Sequence, residues 1–261
     1  MEGDNVRNHY NKNDITIRLL VLLCIALIIF VYVSVKTTEN IASVFSTAKE
    51  LPIYSVERSD KKIALSFDAA WGDEYTQDIL DTLDKYKVKS TFFLVGFWVD
   101  KYPHQVKEIA KRGHEVQNHS TTHPNMTGLS PEKMAEEINI TGKKIKELTS
   151  KEPTLFRPPF GDYNNELINV CRENGYHTIQ WDIDSLDWKE LGVQPVVDRV
   201  TRNVRSGSIV LFHNNAKYIS EYLPLVIERL QEDGYEIVPV SEMIYKDNFK
   251  MDNTGRQIRT K

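Results

Sequence analysis

The chain predicts an α/β fold: a (β/α) barrel-like architecture of about seven parallel strands, preceded by one N-terminal transmembrane helix. Three observations predict it. Between Asp60 and Tyr245, short runs rich in Val, Ile, Phe and Thr alternate with runs at helical spacing. Such alternation implies a parallel sheet with crossover connections. Polar clusters recur where the apolar runs end, which is where barrel folds gather their chemistry. Ahead of all this, Leu19 to Val35 carries no charge.

The elements follow in order. Residues 1–18 read as a cytoplasmic segment containing Arg7, Lys12 and Arg18. Residues 19–36 read as a signal anchor. With Ile15 to Arg18 and Lys36 added, the run reaches the roughly 20 residues that one tilted span needs. The basic residues before it place the N-terminus inside and the bulk of the chain outside. A cleaved signal peptide is the alternative, but the run is long and Ala42-Ser43 is a poor cleavage site. A buried core helix would need a polar face, which this run lacks. Residues 37–58 read as a tether, 59–246 as the domain, and 247–261 as a polar, frayed tail.

Within the domain the strand candidates are Lys62–Phe67, Ser90–Gly96, Glu115–Asn118, Leu155–Arg157, His177–Trp181, Ser208–Phe212 and Glu236–Val240. Seven such repeats suit a barrel better than an open sheet. Helices are expected over Tyr75–Tyr86 and Tyr102–Lys111, from their apolar spacing. Another starts at Ser130, an N-cap followed by Pro131. Asn164–Asn174 and Tyr222–Asp233 each end at a glycine, a stop signal.

Composition narrows the function. Lys and Arg total 33 against 37 Asp and Glu, a formal net charge of −4. No basic patch with interleaved aromatics stands out, so no nucleic-acid partner is expected. The two cysteines, Cys24 and Cys171, lie in unrelated segments and do not pair. Cys171 reads as a small buried hydrophobe, with no neighbouring His to activate it.

Five polar clusters remain. The first strand runs into Asp68, Ala69, Ala70, Trp71, Gly72 and Asp73. Asp68 is a candidate base or metal ligand; Asp73 also suits a helix N-cap. The third strand runs into His119 and His123, whose four-residue spacing puts two imidazoles on one face of a helical turn. Neutral imidazoles suit zinc and similar borderline metals. The fourth runs into Arg157 and the Pro158-Pro159 pair, which stiffens the loop. The fifth runs into Asp182, Asp184, Asp187 and Trp188, and the sixth into His213.

Taken in order, these clusters resemble the polysaccharide deacetylases of carbohydrate esterase family 4, the NodB-homology fold. The matching segments are Ser66–Ala69, His119–His123, Arg157–Phe160, Asp184–Trp188 and Leu211–His213, and the likeness covers about residues 60–245. The resemblance implies a distorted (β/α) barrel. It implies Asp68 as the base that activates a metal-bound water, His119 and His123 as metal ligands, and His213 as the acid that protonates the leaving amine. Asp187 would tune His213, and Arg157 would orient Asp68. Trp188 and Leu211 would line the acetyl pocket, beside Pro159, Phe160, Tyr163 and Trp71. A backbone N–H near Phe160 would help to hold the oxyanion.

One departure stands out. The family's second aspartate, a metal ligand, is here Ala69, which coordinates nothing. Water in the vacant position, Asp73 swinging in, or a metal-free inactive site are the three outcomes. The form Ser66-Phe67-Asp68 followed by Trp71-Gly72, behind a single anchor, resembles the subgroup of endospore-forming bacteria associated with sporulation. The expected activity is metal-dependent hydrolysis of N-acetyl groups on an amino sugar of a cell-wall glycan, peptidoglycan first. The expected ion is Zn2+, with Co2+ or Mn2+ as alternatives. The expected location is the cell membrane, single-pass, with the domain outside. Trp71, Tyr75, Tyr163 and Trp188 would offer aromatic faces to sugar rings. The rival is a catalytically inactive carbohydrate-binding or wall-assembly protein on the same fold. A small-molecule amidase is the third reading.

Overall fold

The computed structural model describes residues 12–45 and 49–260, with side chains at 17–18, 20–36 and 49–260. The chain divides into two compact units, Met1–Lys49 and Glu50–Lys261.

In the first unit, helix α1 covers Lys12–Phe45. It overruns the expected 19–36 at both ends because no Pro or Gly interrupts the sequence between them. Every described side chain from Leu20 to Lys36 is exposed. Among the described residues, no helix is long and apolar enough to cross a membrane. Leu19, within the expected span, lies outside the described side chains, and residues 1–11 of the expected cytoplasmic segment lie outside the described residues.

The second unit is built on β2 (Lys62–Ala69), the longest strand. Around it stand β3 (Thr91–Leu94), β4 (Glu115–Asn118), β5 (Leu155–Phe156), β6 (His177–Thr178), β7 (Ile183–Asp184), β8 (Ile209–His213) and β9 (Glu236–Ile237). Paired strands run in the order β6-β5-β4-β3-β2-β8-β7, all parallel, and β9 pairs with the start of β2. All seven expected strands are present. The eighth, β7, lies in the acid-rich stretch after the fifth expected strand, where no further strand was expected. The barrel is open, with β6 and β7 as its edges.

The crossovers are helical: α2 (Thr76–Lys85), α3 (Gly96–Lys101), α4 (Pro103–Lys111), α5 (Pro131–Thr149), α6 (Asn165–Glu173), α7 (Val193–Asn203), α8 (Ile219–Glu232) and the short α9 (Val240–Met243). Ser130 caps α5 by accepting from the N–H of Lys133, and Asn164 caps α6 through Leu167. Successive strand residues face opposite sides of the sheet. Ile63, Leu65, Phe67 and Ala69 therefore share the apolar core that packs against the helices. There Phe67 stacks between Phe92 and Phe212, at 5.0 and 5.6 Å between centroids. Ser66 and Asp68 face the other way, into the barrel.

The domain is wider than 59–246 at both ends. Ile53, expected in the tether, pairs with Ile179 beside β6 and is buried. Strand β1 (Ser55–Val56) pairs with β11 (Arg256–Arg259), which forms a hairpin with β10 (Phe249–Met251). The polar tail is thus a small sheet, not a frayed end. Its anchor is Gln257, fully buried, which accepts from the Tyr245 N–H and donates to the Tyr245 carbonyl, both at 2.8 Å. Residues 46–48 of the expected tether, and Lys261, lie outside the described residues.

Candidate active site

The C-terminal strand ends bring four of the sequence-predicted residues into one constellation. Asp68 comes from β2 and His213 ends β8; the two are partners in the parallel register. Arg157 follows β5, and its N–H donates to the carbonyl of Asn118 at the end of β4. Asp187 follows β7.

Arg157 is fully buried. Its Nη1 donates to Asp68 Oδ1 at 2.7 Å and its Nη2 to Ser66 Oγ at 2.8 Å. The guanidinium lies over the rings of Phe93 and Trp181, at 4.1 and 5.5 Å. Burial alone would raise the Asp68 carboxyl, but the charges of Arg157, His119 and His213 outweigh it and hold the group below its ordinary range. Asp68 is therefore an ionised carboxylate with one oxygen committed to Arg157.

Its other oxygen, Oδ2, stands 3.5 Å from His119 Nε2. His119 Nδ1 lies 2.6 Å from the Arg157 carbonyl. A carbonyl only accepts, so Nδ1 carries the proton and Nε2 keeps its lone pair. Ligating histidines are commonly oriented in this way.

On the opposite wall, His213 Nδ1 meets Asp187 Oδ1 at 2.7 Å. Asp187 Oδ2 accepts from the His213 N–H and the Tyr222 hydroxyl, both at 2.8 Å. Burial pushes the His213 imidazole down, but the carboxylates of Asp187, Asp68 and Asp184 prevail and raise it above its ordinary value. His213 thus favours the protonated state.

A cavity of ≈ 490 Å³ joins the two walls. Asp68, His119, His123, His213, Trp71, Phe160, Trp188 and Leu211 line it, as the sequence predicted. Ala70 and Asp184, named in the strand-end clusters without a role, also line it, and so do Trp181 and Asn215, which were not singled out as site residues.

Several expectations need correction. His119 and His123 do not share a helical turn. They lie on an irregular loop with left-handed backbone at Ser120 (φ 70°) and His123 (φ 58°). The loop still brings the rings to 5.0 Å between centroids. Its clamp is Glu137 of α5, whose Oε2 accepts the N–H groups of Thr121 and Thr122 while Oε1 accepts the Thr122 hydroxyl, all at 2.8 Å. Glu137 sits on an amphipathic helix and reads in sequence as a solvated charge. Tyr163 turns away from the cavity: its hydroxyl accepts from that of Tyr54 at 3.3 Å. A 3₁₀ turn over Pro159–Gly161, left-handed at Phe160 (φ 59°), leaves Phe160 exposed at the cavity edge, its ring 4.5 Å from that of His123, and buries Pro159 outside the cavity lining. Tyr75 packs against the helix-side core.

Asp73 does not reach the histidines. Its Oδ2 accepts from Gln105 at 3.2 Å and lies 4.0 Å from His104. The Ala69 methyl is sealed in the core at 1% exposure. Among the described residues, no group of three or more His, Cys, Asp or Glu is placed to hold a metal ion. The donor chemistry of His119 and His123 fits a borderline divalent ion at two positions, one fewer than the three protein ligands of most catalytic zinc sites.

Comparisons with known proteins identify the family. The family model for polysaccharide deacetylase matches residues 55–179. A peptidoglycan-N-acetylglucosamine deacetylase of Bacillus cereus is 38% identical over 196 residues, covering 73% of this chain and 92% of that protein. The peptidoglycan-N-acetylmuramic acid deacetylase PdaC of Bacillus subtilis is 36% identical over 189 residues, covering 72% of this chain and 40% of that protein. Among solved structures, a CE4 family pseudoenzyme from Bacillus anthracis superposes with a TM-score of 0.72 at 33% identity, covering 79% of this chain and 70% of that one. A mutant of the same pseudoenzyme, described as having restored enzymatic activity, matches at 34% identity with the same TM-score. On the family model and these relatives, the chain belongs to the polysaccharide deacetylases of carbohydrate esterase family 4.

Proposed function

We propose that this chain is a membrane-anchored, extracytoplasmic N-deacetylase acting on amino sugars of a cell-wall glycan, peptidoglycan first. The observation that carries the reading is the pair of opposed dyads, Asp68 with Arg157 and His213 with Asp187, opening onto one cavity. The names of the related deacetylases supply the substrate class.

The residues divide the work. Asp68, held ionised, accepts the proton of the attacking water. Arg157 keeps that carboxylate in place and charged. His213, held protonated by Asp187, gives its proton to the departing amine, so base and acid act from opposite walls. Leu211 and Trp188 enclose the acetyl methyl group. A divalent ion held by His119 and His123, zinc or else cobalt or manganese, would polarise the amide carbonyl. Ala69 offers no donor, so water would complete the coordination that the two histidines leave open.

The anchor reading rests on the uncharged run from Leu19 to Val35 and on the exposure of its described side chains. An apolar helix without a polar face, its described side chains exposed, is at home in lipid. A link to sporulation rests on the form of the first motif.

The test is acetate release from peptidoglycan and from N-acetylglucosamine oligomers. The full chain would be stripped of metal and reloaded with zinc, cobalt or manganese, with His119→Ala as control. Metal-dependent release that vanishes in the control supports the proposal. A second reading, a non-catalytic glycan binder in wall assembly, is favoured by the missing third ligand and by the similarity to a pseudoenzyme. Glycan binding without acetate release under any of the three metals would establish it instead.

A further inference from the structure

Among the described residues of the Glu50–Lys261 unit, all four exposed aromatic side chains gather at one place. Trp71, Phe160 and Trp188 line the cavity. Phe97 does not, but its ring stands 6.4 Å from that of Trp71, tilted by 48°. Trp71 is 57% exposed and Phe97 38%, so the two rings form a ledge that continues the cavity wall outward. Scattered exposed apolar residues are ordinary on protein surfaces. Aromatics collected at the mouth of one cavity mark a binding surface.

The ledge is fixed in place. The Gly72 carbonyl, next to Trp71, accepts from Trp98 Nε1 at 2.6 Å and from Asn214 Nδ2 at 2.8 Å. The Gly96 and Phe97 N–H groups donate to the Ser120 and Thr121 carbonyls at 2.9 and 3.3 Å. Phe97 is therefore tied to the loop that carries His119 and His123. The approach needs a glycine, because a Cβ at Gly96 would lie 2.5 Å from Thr141 Oγ1 and 2.9 Å from Thr121 Cα. The backbone that carries both rings is thus fixed, which limits what must be ordered on binding. A flat aromatic face also complements the C–H face of a pyranose.

We infer that Trp71 and Phe97 form a second sugar subsite, which takes the pyranose next to the one whose acetamido group enters the cavity. The inference rests on the glycan-deacetylase reading above. The occupant follows from continuity: a polymer bound in the cavity leaves through its mouth, and the ledge extends the Trp71 wall there.

The test is equilibrium binding of N-acetylglucosamine and of its tetrasaccharide to the full chain by calorimetry. Wild type would be compared with Phe97→Ala and Phe97→Tyr, and acetate release followed on the same preparations. Wild type binds the tetrasaccharide more tightly than the monosaccharide. Phe97→Ala lowers that affinity ratio about tenfold, the loss expected for one stacked ring. Phe97→Tyr, which keeps the ring, retains the ratio. An equal ratio in wild type and Phe97→Ala overturns the subsite, as does wild type with no preference for length. So does loss of binding in Phe97→Tyr, which marks a folding role. The lowered ratio without acetate release from any preparation supports the subsite and contradicts the deacetylase reading. Acetate release with an unchanged ratio does the reverse.

Discussion

Asp68 and His213 are register partners on adjacent parallel strands, so their side chains leave the sheet on the same face. Each is held by a partner of opposite charge on its far side, Arg157 for one and Asp187 for the other. The carboxylate and the imidazole thus face a common space without neutralising each other. The arrangement follows from strand register and needs no special loop.

The His213–Asp187 pair sets one limb of the pH profile. A raised imidazole loses its proton only above the ordinary histidine value, so the alkaline fall in kcat moves upward. Asp187→Asn removes the charge that raises it. The alkaline limb is expected to shift to lower pH, as measured by kcat against pH. An unmoved limb contradicts the assignment of His213 as the acid.

Removing Arg157 should cost stability beyond its packing. It is fully buried against a buried carboxylate, and breaking such a pair costs about 3–5 kcal/mol. Arg157→Met is expected in that range by urea denaturation. Adding Asp68→Asn should recover part of the loss, because the stranded charge disappears. Strict additivity would show that the two groups do not interact.

Glu137 should act on the histidine loop from outside the cavity. Glu137→Ala leaves the Thr121 and Thr122 N–H groups without their acceptor, at a cost of about 1–2 kcal/mol. Glu137→Gln keeps an acceptor oxygen and should cost less. NMR signals of the His123 ring should broaden in the alanine variant. Sharp, unshifted His123 signals would show that the loop holds without the clamp.

Ala69→Asp places a carboxylate where a methyl group is sealed at 1% exposure. In metal-free protein this is expected to lower stability by about 1–3 kcal/mol, the cost of an unpaired buried polar group. Equal stability of variant and wild type would show that the position opens toward the cavity.

Acid should loosen the fold through buried histidines. Burial pushes His114 and His123 down to about 4. The unfolded chain then binds protons that the folded chain refuses. Stability present above the unfolded histidine value, about 6.5, is lost as pH falls toward about 4. For the nearly inaccessible His114 the loss reaches on the order of 3 kcal/mol. His114→Asn keeps an acceptor for the Ser90 N–H and should flatten part of this slope in melts between those limits. An unchanged slope contradicts the account.

Much of the candidate site was legible in the sequence because it sits where strands end. Apolar runs located β2, β4, β5 and β8, and the polar residues after them fell on one rim. What escaped depends on backbone turns without a compositional mark. Ser120, His123 and Phe160 take left-handed conformations that non-glycine residues rarely adopt, so neither the loop path of the two histidines nor the turning away of Tyr163 was visible. Glu137 and Gln257 act through tertiary contacts, and polarity alone marked them as surface. The strand β7 lies among acids, where no apolar run marks it.

The most direct measurement is acetate release from peptidoglycan by the full chain, wild type beside Asp68→Asn and His213→Ala, each supplied in turn with zinc, cobalt and manganese. The account predicts release by wild type and a loss of about 10²–10⁴-fold in each variant, the usual worth of a positioned base or acid. A folded wild type that releases no acetate with any metal, or variants as active as wild type, would contradict it.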